Sequence, residues 1–134
     1  MRKTNLKHLG VPRYISTGIF EHKGSEYRFL IMDRYSKDLQ VLLNENNHHL
    51  NENFVLNLTS QILYSLEYIH LKGYAHADIK GSNLMMKTER EVVLIDYGLA
   101  HKLKLNNVYF PKHNGTIEYT SRDAHAGRRN IFHI

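Results

Sequence analysis

"YAHADIKGSNLMM" (residues 74–86) sets a histidine, a carboxylate, an ammonium and an amide at positions 76, 78, 80 and 83, then turns apolar without a break. Asp78 and Asn83 lie five apart between a helix end and a short apolar hairpin, so a rigid base carries both into one cleft. That hairpin is two runs, Leu84–Met86 and 92–95, joined by the charged turn "KTERE" (87–91). Asp96 ends its second run, and antiparallel pairing returns it close to Asn83. A carboxylate and an amide oxygen, with open positions for water or phosphate oxygens, form a donor set that a hard cation such as Mg²⁺ accepts. Asp78, left off the metal, orients a hydroxyl and receives its proton, while Lys80 presents a point positive charge to a phosphate. Together these residues form a phosphoryl-transfer layout. His76 by itself reads as a packed structural histidine and stays outside the catalytic set.

Upstream, "RYISTGIF" (13–20) and "YRFLIM" (27–32) are rich in aromatic and β-branched residues and flank a turn with Gly24, which predicts an antiparallel pair. "SKDLQVLL" (36–43) predicts a short helix capped by Ser36, with Leu39, Leu42 and Leu43 on one face. Across residues 54–70, Val55, Leu58, Ile62, Leu66 and Ile69 recur at spacings of three and four, the pattern of a core-facing helix that Gly73 stops. "NENNHHLNEN" (44–53) reads as a solvated connection, with His48 and His49 on the surface. After Ile95 no period is sustained, and a long loop is expected.

The pattern His76-x-Asp78-x-Lys80-x-x-Asn83 followed by three apolar residues resembles the catalytic loop of eukaryotic protein kinases, and Asp96-Tyr97-Gly98 resembles their metal-binding triplet. Lysine two places after the aspartate is the serine/threonine form. "FLIMDRYSKDLQ" (29–40), "LEYIH" (66–70), "DYGLA" (96–100) and "HNGTIEYTSRDAH" (113–125) are similar to the vaccinia-related kinases, a branch close to the casein-kinase group. The resemblance runs from about residue 9 to residue 127. It implies an α+β, protein-kinase-like fold in partial form: residues 9–35 as the end of the N-lobe sheet and the hinge, 36–127 as C-lobe with catalytic loop and activation segment, and 128–134 as a divergent tail.

The same resemblance implies ATP and Mg²⁺ as cofactors and a Ser or Thr hydroxyl of a protein as acceptor. Asp78 corresponds to the catalytic base, Lys80 to the group that neutralises the transferring phosphate, and Asn83 and Asp96 to the magnesium ligands. Met32 resembles the gatekeeper, the backbones of Asp33 and Tyr35 would meet the adenine edge, and Met85 would lie beneath the ring. Thr116 resembles the activation-segment threonine that ties Asp78 to Lys80. Ala77 replaces an arginine that many kinases use to grip a phosphorylated loop, so activation-loop phosphorylation is not expected to switch this protein.

The departures are as specific as the matches. The 134 residues contain no G-x-G-x-x-G loop and no V-A-I-K-like strand, so the expectation is a kinase domain truncated at both ends and weakly active or inactive by itself. Losing a single preorganised electrostatic donor costs roughly 3–4 kcal/mol in a transition state. Two other readings stand beside it: a pseudokinase or truncated binding module, and a small-molecule phosphotransferase of the aminoglycoside or choline kinase type. Lys80 and "GTIEYTS" (115–121) argue against the second.

Composition sets the outer bounds. At 134 residues and 42% hydrophobic content, one compact domain is expected. The net charge of +5 comes from scattered Lys and Arg, so direct nucleic-acid binding is not expected. The chain has no cysteine, no signal-like apolar region and no membrane-length apolar run, which predicts an intracellular protein of nucleus or cytoplasm. The sequons at Asn57 and Asn114 therefore carry little weight.

Overall fold

The computed structural model describes residues 9–103 and 115–125. The expected tail (128–134), residues 1–8 and the Asn114 sequon lie outside the described residues. Strands β1 (Tyr14–His22) and β2 (Ser25–Met32) form the predicted hairpin, with Lys23 and Gly24 at φ 51° and 73° in its turn. Positive φ at both central residues matches the twist of the flanking strands. The register runs from His22↔Ser25 to Ser16↔Ile31 and then slips, so Ile15 bulges before Tyr14 pairs with Met32.

Helix α1 (Leu39–Glu45) begins later than expected, because Asp38 rather than Ser36 is its cap, accepting from Val41 N at 2.8 Å. The physical reason lies across the chain. Ser36 N and Oγ both donate to Met86 O, and Met86 N donates to Lys37 O, so residues 36–38 run extended along a hairpin edge. Helix α2 (Glu52–Leu71) is the long predicted helix, capped by Asn51 and followed by Gly73 at φ 80°.

Of the predicted helix face, Leu58 and Ile69 are buried and Ile62 and Leu66 pack against the core, but Val55 is 42% exposed. Ser65 is buried at 2% instead. The segment before β1 crosses α2 there: a Cβ on Gly10 (φ 62°) would stand 1.7 Å from Ser65 Oγ, so only glycine fits. Gly10 O accepts from Leu94 N at 2.8 Å, which fastens this segment to the core.

β3 (Tyr74–Ala75) follows α2, and a 3₁₀ turn (Gly81–Asn83) leads into β4 (Leu84–Met86), which pairs with β5 (Val92–Leu94) as predicted. All three β5 residues are buried. Gln61 of α2 reaches over to this hairpin, donating to Arg90 O and accepting from Val92 N. The expected structureless region after Ile95 is partly ordered: β6 (His101–Lys102) pairs with β3, a 3₁₀ turn covers Ile117–Tyr119, and α3 spans Arg122–His125. Two-residue strands leave no periodic trace, and Tyr74↔Lys102 is a contact that only the folded chain creates. The architecture is α+β. No helix among the described residues is long and apolar enough to cross a membrane.

Candidate active site

The core hairpin and the turn before it position the polar groups. Asp78 and Asn83 are only 8% and 5% exposed. Burial of unpaired carboxylate is costly, and here every accepting position is used. Oδ1 of Asp78 accepts from the Thr116 backbone N–H at 3.0 Å and from Thr116 Oγ1 at 2.9 Å. Oδ2 accepts from Asn83 Nδ2 at 3.1 Å and from Lys80 Nζ at 2.8 Å. Lys80 Nζ also donates to Thr116 Oγ1 at 2.8 Å, closing a ring of Asp78, Lys80 and Thr116. Burial pushes the Asp78 carboxyl up, but hydrogen bonds from Lys80 and Thr116 outweigh it and bring its pKa down to about 2. Asp78 is therefore ionised at neutral pH.

His76, 1% exposed, joins the two halves of the site. Its Nδ1 accepts from the Asp78 backbone N–H, which leaves the proton on Nε2 to donate to Ile95 O at 2.9 Å. Burial lowers its pKa, so the ring is neutral. The Tyr97 ring meets it edge-on, with centroids 4.8 Å apart. The Tyr97 hydroxyl is buried without a hydrogen-bond partner among the described residues, and burial pushes its pKa up to about 12.

Ile95 N donates to Asn83 O at 2.9 Å, so Asp96 follows directly on the residue opposite Asn83. Asp96 is exposed, with φ 62° and one carboxylate oxygen accepting from Gly98 N. Asn83 spends its NH₂ on Asp78, donating to both its carboxylate and its backbone oxygen. The amide oxygen is the remaining face of Asn83, and with the Asp96 carboxylate it supplies the hard oxygen donors that suit Mg²⁺.

Of the other predicted residues, Met32 lines a neighbouring cleft, and Asp33, Tyr35 and Met85 do not. Asp33 and Tyr35 follow the end of β2, where no strand or helix ladder engages the backbone. Met85 is half-buried at the middle of β4, bridged to Asp38. Met32 and Asp96 share the wall of a cleft of about 780 Å³, mainly apolar, with Val11, Leu30, Tyr68 and Tyr97. Asp78, Lys80, Asn83, Met85 and Thr116 do not line that cleft, so it adjoins the polar cluster without containing it.

Gly115, Gln61 and Arg13 are contributors that sequence reasoning missed. A Cβ on Gly115 (φ 93°) would come within 2.7 Å of Ala77 O, so glycine lets Thr116 reach Asp78. Its place just before that threonine was the available signal. Gln61 and Arg13 act over 29 and 20 residues, respectively, and leave none.

Comparison with known proteins identifies the family. The protein kinase domain model matches residues 3–126, and the chain belongs to the protein kinase family. It is 42% identical over 134 residues to Nucleosomal histone kinase 1 of Drosophila melanogaster, covering 95% of the chain and 22% of that protein. It is 40% identical over 136 residues to Serine/threonine-protein kinase VRK2 of Homo sapiens, covering 95% and 27%. B1 kinase of Monkeypox virus is 34% identical over 132 residues, covering 92% and 44%. These relatives place the chain in the vaccinia-related branch, and it spans between about a fifth and under a half of their lengths.

Proposed function

We propose that this polar cluster serves MgATP-dependent phosphoryl transfer to a Ser or Thr hydroxyl of a protein. The single observation behind the reading is the Asp78 carboxylate held between Lys80, Asn83 and Thr116 on a base whose far end carries Asp96. Residues 9–35 would form the upper side and the adenine-facing connection, and 36–127 the lower side.

In this mechanism Asp78 orients the incoming hydroxyl and takes its proton as the oxygen–phosphorus bond forms and the bond to the departing diphosphate breaks. Its pKa of about 2 makes it mainly an orienting group that accepts the proton late. Thr116 Oγ1 holds Asp78 and Lys80 in register, and Lys80 Nζ supplies positive charge beside the transferring phosphate. Asn83 and Asp96 would hold magnesium, which when bound neutralises charge on the phosphates. The backbones of Asp33 and Tyr35 would meet the adenine edge, with Met32 behind it and Met85 beneath. The 134 residues have no glycine-rich phosphate loop and no lysine-bearing strand, both of which hold the phosphates, so this chain by itself is weakly active or inactive.

The family supports an intracellular protein of nucleus or cytoplasm, and the name of the Drosophila relative makes nucleosomal histone the first substrate to try. The test is thermal stabilisation of the purified chain by ATP with and without magnesium, followed by labelled phosphate transfer to histone. Magnesium-dependent stabilisation is expected, with transfer weak or absent and any that occurs lost in Asp78→Asn. A chain that ATP does not stabilise in magnesium overturns the reading and favours a scaffold.

A further inference from the structure

The strand pairing of β1 and β2 is weakest where it matters for a nucleotide. Ile15 bulges out of the ladder, leaving Tyr14↔Met32 as a solitary last pair after the register slip. Past that pair the chain enters residues 33–35, whose backbone joins no ladder. The ladder ends at that pair, so residues 33–35 take no hold from it.

Arg13 and Asp33 stand one step beyond the last pair, just before β1 and just after β2. Arg13 Nε donates to Asp33 Oδ2 at 3.1 Å and Nη2 donates to Oδ1 at 2.7 Å, a two-point fork that specifies direction as well as distance. The bond from Arg13 holds the Asp33 carboxyl below its usual pKa, with a smaller attraction from Lys87. Arg13 follows Pro12, whose ring fixes the backbone leading into the fork. Val11 and Pro12 line the same cleft as Met32.

We propose that the Arg13–Asp33 fork is a positioning clamp that holds the 33–35 backbone in register for the adenine base, one step past the end of the ladder. The clamp rests on the nucleotide reading above and names a residue pair that acts through backbone rather than on the ligand. The Arg13 side chain is 73% exposed, so the pair adds little to global stability, and its effect belongs to base recognition.

The test compares magnesium-bound ATP with magnesium-bound inorganic triphosphate, which has the phosphates and lacks the base, as ligands of the full chain. Arg13→Ala weakens ATP binding about fivefold, the scale of a well-formed exposed pair, and leaves triphosphate binding unchanged. Arg13→Lys, which keeps charge but cannot form the fork, falls between. The exchange Arg13→Asp with Asp33→Arg recovers part of the loss. Equal weakening of both ligands, or no change in either, overturns the clamp while leaving the nucleotide site intact. A wild-type chain that binds neither ligand overturns the nucleotide reading and the clamp with it.

Discussion

Two antiparallel hairpins of this molecule contrast in a way their lengths do not foretell. β4 and β5 pair only three residues each, yet five of those six are buried. β1 and β2 pair over nine and eight residues, and almost every side chain stays exposed on both faces. The short hairpin is held from all sides: Gln61 grips its turn, residues 36–37 line one edge, Gly10 meets the other, and Asn83 extends the ladder to Ile95. An isolated two-stranded hairpin is marginal, and the long one depends on its own cross-strand contacts. Phe20 stacks on Tyr27 at 5.2 Å, and Phe29 covers Gly18 so closely that a Cβ there would stand 2.5 Å from its ring. Catalytic candidates gather at the ends of the short hairpin because buried, over-determined backbone holds polar groups in place.

This contrast makes ordered predictions. The largest concerns chemistry: whatever labelled phosphate transfer the chain supports, Asp78→Asn lowers it at least about 100-fold, the usual scale for a lost general base, while Ile19→Thr on the exposed hairpin leaves it unchanged. Next, Leu94→Ala should cost about 2–5 kcal/mol in denaturant unfolding, since it opens a cavity in a closed core. A loss under about 1 kcal/mol would break the contrast by showing the short hairpin free to collapse.

Acid offers a third measurement. Because the folded-state pKa of His76 lies below 6.5, its contribution is complete above 6.5 and is lost as pH falls through the lowered value. Unfolding free energy should therefore decline below about pH 6.5, no more steeply than about 1.4 kcal/mol per pH unit for one proton. His76→Gln removes that slope. Asp78 acts the same way at lower pH, its share disappearing between 3.8 and about 2.

Tyr97→Phe should stabilise the chain by about 1 kcal/mol, because it removes a buried hydroxyl that has no partner among the described residues. The smallest effect is Ile19→Thr, within about 0.5 kcal/mol in either direction in the same denaturant titration. A larger cost would mean the hairpin face is covered in solution.

Much of the fold was legible beforehand. The long helix announced itself through Leu58, Ile62 and Ile69, one hairpin through aromatic and β-branched runs around Gly24, and the other through apolar runs around "KTERE". Ser36 misled because its hydroxyl had a better use on Met86 O, fifty residues away. Val55 misled because helical period fixes a stripe but not its width, and the crossing at Gly10 drew the buried edge toward Ser65. The β3–β6 pairing was invisible, since two residues cannot show alternation.

By itself, the sequence determined which chemical groups are available and in what local order, since spacing between residues 76 and 96 is covalent and the hairpin that folds it is short-range. Tertiary structure alone decided that Asn83 spends its NH₂ on Asp78, that Gln61 grips the short hairpin from α2, and that Arg13 meets Asp33 past the end of the ladder, whereas the Thr116 contact with Asp78 was implied by family resemblance and not by any local pattern. Such contacts depend on burial and on backbone positions far apart in the chain, quantities that no local window of residues carries.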